Sequence, residues 1–325
     1  MKTVKLEHVY ECYPIYSLLY GRDIDAKAFE AVNACIAAEH FWMDRLNQKS
    51  KLSILEMFAG ISEHKNFFLQ SCKAPISRYA CLDNQPGVAN DDVVIGDAIT
   101  DEYPGSFNFL IAYYYSLATC IYDANYIHSR ESMVKFLRNV QHNLTLTKGT
   151  TKRSGKPKGG FYFNLSSNGY FNALANIGTP IKKFEYHVPI CHPIRKMFGI
   201  DAYAKSVMLT ADTKRTYDRM LSTNYDYLEN VQLWVGNKVV AKFKIARPFS
   251  HRFWSETEIV DIAKEVGFTD IVFYNNMVAS GEDLISSHST LKPLIKYPDI
   301  PYLDGEIDDG NAMENYMTSD MLLIA

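Results

Sequence analysis

Hydrophobic and polar positions follow two different patterns along the chain. Before residue 166 and after 250, short apolar runs typical of buried strands alternate with segments whose apolar residues recur every three or four positions, as on a helix face. This alternation is typical of right-handed crossovers and a mostly parallel sheet. The predicted strands are "LSILEMF", "ISRYACLD", "DVVIGDA", "FNFLIAYYYS" and "GGFYFNL", and the predicted helices include "SEHKNFFLQSC" and "SRESMVKFLRNVQHNL".

Residues 167–249 have a different pattern, because strand-like runs follow one another there. In "NVQLWVGNKVVAKFKIA", Gly-Asn stands between two alternating runs, which predicts a hairpin. We therefore expect a β-rich antiparallel insertion. Beyond it, Ser255 with Glu258 three residues later forms a capping box, and Gly267 is a helix stop, so a helix and a strand resume the sheet.

The predicted organisation has four parts. Residues 1–48 are a helical entry segment, since "DIDAKAFEAVNACIAAEHFWMDRL" has helical spacing. Residues 49–166 and 250–278 form the α/β core, and 167–249 form the insertion, which is expected to cover the active site as a lid. For the acidic tail, 279–325, the sequence leaves open whether it is disordered or packs as an arm.

Composition excludes several classes of protein. The net charge of −3 and pI near 6.3 give no general attraction to nucleic acid or anionic membranes. The six cysteines include no CxxC pair, so we expect neither a metal site nor a disulfide framework. A signal-peptide pattern and a membrane-spanning apolar stretch are both absent, so the expectation is a cytoplasmic protein without a membrane partner.

Three carboxylates, Glu56, Asp83 and Asp97, stand at or near the ends of predicted strands. In an open parallel sheet, ligands bind outside these ends, near the point where the strand order reverses. The loop after the first strand has Phe58, Gly60 and Glu63 where a dinucleotide fingerprint needs glycines, and the P-loop pattern is also absent. The acidic strand ends suit a ligand that carries an amine, a ribose and a purine.

These segments resemble class I S-adenosylmethionine-dependent methyltransferases. "ILEMFAGISEH" is similar to motif I of that family, "ACLDNQPGVAN" to motif II, "VIGDA" to motif III and "FNFLIAYYYSL" to motif IV. The resemblance covers roughly residues 50–165 and 250–275. The opening "YPIYSLLYGRDI" is similar to the tyrosine-rich start of small-molecule N-methyltransferases of the glycine and sarcosine type.

The resemblance implies a Rossmann-like core and a cofactor site. Glu56 would organise the loop facing the methionine part of S-adenosylmethionine, Asp83 would accept the ribose hydroxyls, and Asp97 would bind the adenine amino group. The whole implied cofactor-binding set is Tyr16, Glu56, Phe58, Gly60, Asp83, Asn84, Asp97, Ala98, Ala112 and Tyr113. The chain departs from the family at Ser62, where glycine is usual, and at Asn164, where a carboxylate is frequent.

The implied reaction is direct in-line methyl transfer to nitrogen or oxygen of a small molecule, with S-adenosylhomocysteine as product and no metal. Because the sulfonium is already activated, we expect alignment of the acceptor rather than a catalytic triad. Tyr20, Tyr113 and His251 are the candidate residues for positioning it, the tyrosines as part of an aromatic wall. Nitrogen is preferred because of the entry segment. A homodimer through the insertion or the N-terminal helix is a reasonable arrangement.

Two other functions stay open. One is a methyltransferase-fold protein without catalysis that serves as a binding or regulatory partner. The other, nucleic-acid methylation, is disfavoured because "AYYYSL" stands where amino-directed enzymes carry [ND]PP[YF] and cytosine enzymes carry Pro-Cys. The basic stretch "KGTTKRSGKPKGG" is expected to be a solvated loop.

Overall fold

The computed structural model divides the chain into two compact units. The antiparallel-sheet unit comprises Met1–Asp23 and Ala175–Arg252, and the parallel-sheet unit comprises Ile24–Leu174 and Phe253–Ala325. The structure describes the chain apart from residues 21–23, 47, 49, 86–87, 89–91, 114–115, 146–158, 167–181, 202, 205, 278–292 and 297–316. The basic residues of the stretch "KGTTKRSGKPKGG", all within 146–158, therefore lie outside the described residues, as does much of the tail.

The described helices are α1 (Tyr13–Tyr20), α2 (Ile24–Asp44), α3 (Glu63–Ser71), α4 (Ser116–Thr119), α5 (Arg130–Thr145), α6 (Pro193–Met197) and α7 (Glu256–Val266), with a 3-10 turn at Val9–Glu11. The strands are β1 (Lys2–Leu6), β2 (Leu52–Met57), β3 (Ile76–Asp83), β4 (Val93–Ile95), β5 (Phe109–Ala112), β6 (Gly160–Ser166), β7 (Lys182–His187), β8 (Val207–Asp218), β9 (Thr223–Val235), β10 (Lys238–Ile245), β11 (Phe249–Arg252), β12 (Asp270–Met277), β13 (Pro293–Lys296) and β14 (Met317–Ile324). None of the described helices is long and apolar enough to cross a membrane.

The parallel-sheet unit is built on a sheet with the order β13-β12-β14-β6-β5-β2-β3-β4 among the described residues. The five strands from β6 to β4 are parallel, and β14 runs antiparallel to β6 and to β12. After β2 the chain adds β3 and β4 on one side and then β5 and β6 on the other. The strand order therefore reverses beside β2, which is where such sheets bind ligands.

Helices cover both faces of this sheet. On one face, α5 and α7 pack through residues such as Phe136, Leu137 and Ile259, which are fully buried. On the other, α2 packs through alanines and Phe41. The predicted capping of α7 is confirmed, since the Ser255 hydroxyl accepts from the Glu258 N–H and Gly267 takes a φ of 103°.

The antiparallel-sheet unit contains the sheet β1-β10-β9-β8-β7, with β11 also paired to β9. The predicted hairpin is present between β9 and β10, with Gly236 at a φ of 55° in the turn. The fold prediction, an α/β protein with a mostly parallel sheet and a β-rich antiparallel insertion, is thus confirmed.

Two segments differ from the sequence-based organisation. The entry segment is not only helical, because its first residues form β1, which pairs in parallel with β10, and the division between units falls after Asp23. The end of the tail forms β14, whose Leu322, Leu323 and Ile324 are buried in the middle of the sheet. An apolar strand with partners on both sides buries far more surface than an arm, which explains its position.

Candidate functional site

The loop between β2 and α3 has an unusual backbone. Phe58, Gly60 and Ser62 all lie in the left-handed region, with φ of 57°, 55° and 62°. Only glycine takes this conformation without a steric cost, and for a large side chain it is rare. The loop therefore keeps a glycine-like conformation at three alternate positions although only one of them is glycine.

The loop is held against the end of β3. The Gly60 N–H donates to Asp83 Oδ2 at 2.8 Å, and the Ala59 N–H donates to the Leu82 carbonyl at 3.1 Å. Asp83 Oδ1 accepts from the Gln85 N–H at 2.9 Å. Burial raises the pKa of Asp83, while these N–H groups oppose the rise. The neighbouring Asn84 is exposed, and its side-chain oxygen accepts from the Gln85 amide.

Ser62 offers a direct test of the loop's strain. It is the N-cap of α3, yet its side chain makes no capping hydrogen bond, so its left-handed backbone is not compensated by a cap. We expect Ser62→Gly to raise the free energy of unfolding by about 1 kcal/mol. Urea denaturation measures the change, and Ser62→Ala is the control that should give no gain. An equal gain from alanine would contradict the strain argument.

Asp97 shapes the turn after β4. Its Oδ1 accepts from the Ile99 N–H at 2.9 Å and its Oδ2 from the Thr100 hydroxyl at 2.8 Å. Ala98 is 3% exposed, and its carbonyl accepts from the Tyr103 hydroxyl at 2.9 Å. The turn is therefore fixed by its own side chains, and Asp97 keeps a partly exposed carboxylate.

Ala112 and Tyr113 lie at the end of β5, beside β2. Both are buried, and the Tyr113 ring stacks on the His64 ring with centroids 4.1 Å apart. Burial raises the pKa of Tyr113 well above its ordinary value, and the negative charge of Glu56 adds to the rise. Tyr113 is therefore a neutral phenol at physiological pH.

Glu56 lies inside the protein, with 1% of its surface exposed. Its Oε2 accepts from the Tyr79 hydroxyl at 2.8 Å, and its Oε1 is 3.3 Å from His64 Nδ1. The other ring nitrogen of His64, Nε2, is 3.0 Å from Glu30 Oε2. Two carboxylates from β2 and α2 thus share one imidazole from α3.

His64 carries a positive charge in this setting. Burial lowers its pKa, but the hydrogen bonds to Glu30 and Glu56 and their negative charges outweigh burial and raise the pKa from 6.5 to about 9. The imidazolium offsets one of the two carboxylate charges and also offers its face to the Tyr113 ring.

The sequence analysis missed His64 and Glu30. A signal for Glu30 exists, because it lies at helical spacing with Ala34, Ala37 and Phe41 on the face of α2 that packs against the sheet. A charged residue on such a face requires a buried partner. No comparable local signal identifies His64 as that partner.

The predicted site residues fall in both units. The strand-end set of Glu56, Phe58, Gly60, Asp83, Asn84, Asp97, Ala98, Ala112 and Tyr113 belongs to the parallel-sheet unit. Tyr16, Tyr20 and His251 belong to the antiparallel-sheet unit. There the Tyr20 ring stacks on Phe249 at 4.0 Å, Tyr16 lies 5.8 Å from Tyr20, and His251 is on β11 opposite Asn224. The two tyrosines are thus together in one aromatic cluster.

Solved structures of known proteins are similar to this fold. No protein-family model and no curated protein matches the sequence significantly. Among solved structures, an S-adenosylmethionine-dependent methyltransferase from Clostridium acetobutylicum has a TM-score of 0.50 and 11% identity, covering 95% of this chain and 96% of that one. This chain has a methyltransferase fold. The CcbJ methyltransferase from Streptomyces caelestis also has a TM-score of 0.50, at 10% identity, covering 97% and 98%.

The methyltransferase fold agrees with the resemblance found in the sequence, and the predicted Rossmann-like core is confirmed. Both matches extend over nearly the whole of each chain.

Proposed function

We propose that the protein is an S-adenosylmethionine-dependent methyltransferase that transfers a methyl group directly to nitrogen or oxygen of a small molecule. The observation that carries the proposal is the loop at the point where the strand order reverses, with three alternate left-handed residues and its central N–H bound by Asp83. When bound, the cofactor supplies a sulfonium methyl group that needs no further activation.

The residues present fit this cofactor. A carboxylate has about four lone-pair positions. Backbone N–H groups of Gly60, Gln85 and Asn84 bond the Asp83 carboxylate, and the acceptor capacity that they leave can take a ribose hydroxyl. Asp97 has a partly exposed carboxylate for the adenine amino group, and buried Ala98 offers an apolar surface beside the base.

Glu56 has an indirect role in the proposed site. Its carboxylate is buried and bonded to Tyr79 and His64, so a direct contact with the amino group of the cofactor would require that group to reach beneath the loop. We assign Glu56 to the support of the loop and of Tyr113. The predictions for Tyr16, as a cofactor contact, and for Tyr20 and His251, as residues that help to position the acceptor, stay proposals.

Calorimetric titration tests the cofactor assignment. The purified full-length protein is titrated with S-adenosylmethionine, with S-adenosylhomocysteine and with NADH. Micromolar binding of the two adenosyl ligands, without NADH binding, is the expected result. If neither adenosyl ligand binds, the protein is a methyltransferase-fold binding protein and the proposed activity is wrong.

Asp83→Ala is expected to weaken S-adenosylhomocysteine binding by roughly 1.5–3 kcal/mol, because hydrogen bonds to a charged group are lost. The same calorimetric titration measures the loss. Asp92→Ala is the control, since Asp92 is an exposed carboxylate just before β4. Normal binding by Asp83→Ala would show that the ribose lies elsewhere.

A further inference from the structure

A row of buried polar side chains crosses the sheet at the end of its parallel strands. Asn164 on β6 is the direct register partner of Asp320 on β14. Because Phe163 pairs with Ala112, Asn164 also lies beside Tyr113, which follows β5. Neighbouring residues in register point to the same face of a sheet. Asp320, Asn164 and Tyr113 are 0%, 4% and 3% exposed.

Helix α2 places two further polar residues over this face. Glu30 and Asn33 share the helical face of Ala34 and Ala37, which pack against the sheet. They are 5% and 4% exposed. Near the parallel strand ends, the layer between α2 and the sheet is therefore polar, whereas the layer around Phe41 and Phe109 is apolar.

Two polar atoms in this layer, Asn33 Nδ2 and Asn164 Oδ1, have no hydrogen-bond partner among the described residues. Asn164 Nδ2 donates to Asp320 Oδ1 at 2.8 Å and lies 3.3 Å from the Tyr162 hydroxyl. The amide oxygen, on the other side of the group, consequently faces away from both residues. The Tyr113 hydroxyl likewise has no partner in hydrogen-bonding geometry among the described residues, and the Tyr79 hydroxyl donates to Glu56.

Unsatisfied buried polar atoms cost about 1–3 kcal/mol each, so their presence at one place points to a ligand. The vacant acceptor on Asn164 requires a donor on that ligand, and the vacant donors on Asn33 and Tyr113 require an acceptor. Glu30, Glu56 and Asp320 supply three carboxylates to this part of the protein against the single imidazolium of His64, and this excess favours a group that carries positive charge. An amine is charged in neutral water, releases that proton to solvent so that its nitrogen lone pair can displace the sulfonium sulfur from the methyl carbon, and is charged again once methylated. An alcohol is neutral before the reaction.

We propose that Asn33, Tyr113 and Asn164 form the acceptor subsite, and that it takes a small amine bearing an oxygen substituent. The inference rests on the proposed methyltransferase function and narrows its acceptor to nitrogen. Asn164 Oδ1 accepts from the amine, and Asn33 and Tyr113 donate to the oxygen substituent. Asn164 thereby gains a recognition role in addition to its hydrogen bond with Asp320.

The test uses the full-length protein and radiolabelled S-adenosylmethionine. Small amino alcohols, linear, cyclic and sugar-borne, are each paired with the diol of the same skeleton and assayed for methyl transfer. Calorimetry then measures binding of the best amino alcohol to the protein saturated with S-adenosylhomocysteine. Amino alcohols are expected to be methylated and bound, and the matching diols are not.

Asn33→Leu tests the binding of the acceptor separately from the stability of the fold. Removing an unsatisfied buried group should leave the unfolding midpoint unchanged or higher, while KM and Kd for the amino alcohol rise about tenfold. Asn164→Leu should also raise KM and Kd for the amino alcohol. Asp44→Asn, at the exposed end of α2, is the control and should change neither constant. S-adenosylhomocysteine affinity should be unchanged in all three variants.

Several results would overturn the subsite while leaving the methyltransferase proposal intact. These are equal use of diols and amino alcohols, normal constants in Asn33→Leu, or failure of every amino alcohol to be bound or methylated by protein that binds S-adenosylhomocysteine. If the wild-type protein does not bind S-adenosylhomocysteine, both proposals fail together.

Discussion

Replacement of His64 by leucine is expected to lower the free energy of unfolding of the parallel-sheet unit by about 3–5 kcal/mol, the usual cost of removing one partner from a buried ion pair. His64 is 9% exposed and lies between the carboxylates of Glu30 and Glu56. Leucine fills much of the same space but carries no charge and no N–H. The two carboxylates then lose the imidazolium that they share, and Tyr113 loses its stacking partner.

Urea denaturation followed by tryptophan fluorescence measures this loss. The chain has three tryptophans, of which Trp42 and Trp254 lie in the parallel-sheet unit and Trp234 in the other. A Trp234→Phe background therefore makes the signal specific to the unit that contains His64. His142→Leu, an exposed histidine in the last turn of α5, is the matched control, with an expected change below about 1 kcal/mol. Similar losses in both variants would contradict a buried ion-pair role.

The stability of the same unit is expected to fall as the pH rises from 6.5 to 9. The folded protein raises the pKa of His64 from 6.5 to about 9, so the folded state binds a proton that the unfolded state has released in this range. The contribution of His64 is fully present below pH 6.5 and is lost as the pH rises through about 9. Its size is roughly 3 kcal/mol, from the linkage between pKa and stability.

Comparison with His64→Gln isolates this effect from other titrating groups. Glutamine keeps hydrogen-bonding capacity but does not titrate, so its unfolding free energy should change less between pH 6.5 and 9. The two profiles of unfolding free energy against pH, for the wild-type protein and for His64→Gln, are expected to differ in their fall by roughly 3 kcal/mol. Parallel profiles would mean that His64 is neutral in the folded protein at neutral pH.

The sequence was informative where a feature depends on neighbours along the chain. The α7 cap uses Ser255 and Glu258, three residues apart, and the hairpin turn at Gly236 lies between two alternating runs. Ser62 was noted as a departure from the glycine usual in the family that the sequence resembles, and its backbone is left-handed, a conformation with a known cost for residues other than glycine. In each case the physical cause lies within a few residues.

Features that depend on distant partners could not be predicted. Glu30, Glu56 and His64 come from three elements, and only the packing of α2 and α3 against β2 brings them together. The same holds for β1, whose partner β10 lies far along the chain. The charge of Asp320 in "MTSDMLLI" argues against a core strand, but the register of Asp320 opposite Asn164 supplies a hydrogen bond to its carboxylate.

The position of β14 determines when the parallel sheet can be completed during synthesis. β14 leaves the ribosome after every other strand of the sheet, yet it fills the gap between β6 and β12. Until then, each of those strands presents a backbone edge with unused hydrogen-bonding groups, which is the kind of surface that pairs with other chains. Translation of β14 therefore closes the sheet, and the edges of β6 and β12 stay open to pairing with other chains until β14 emerges.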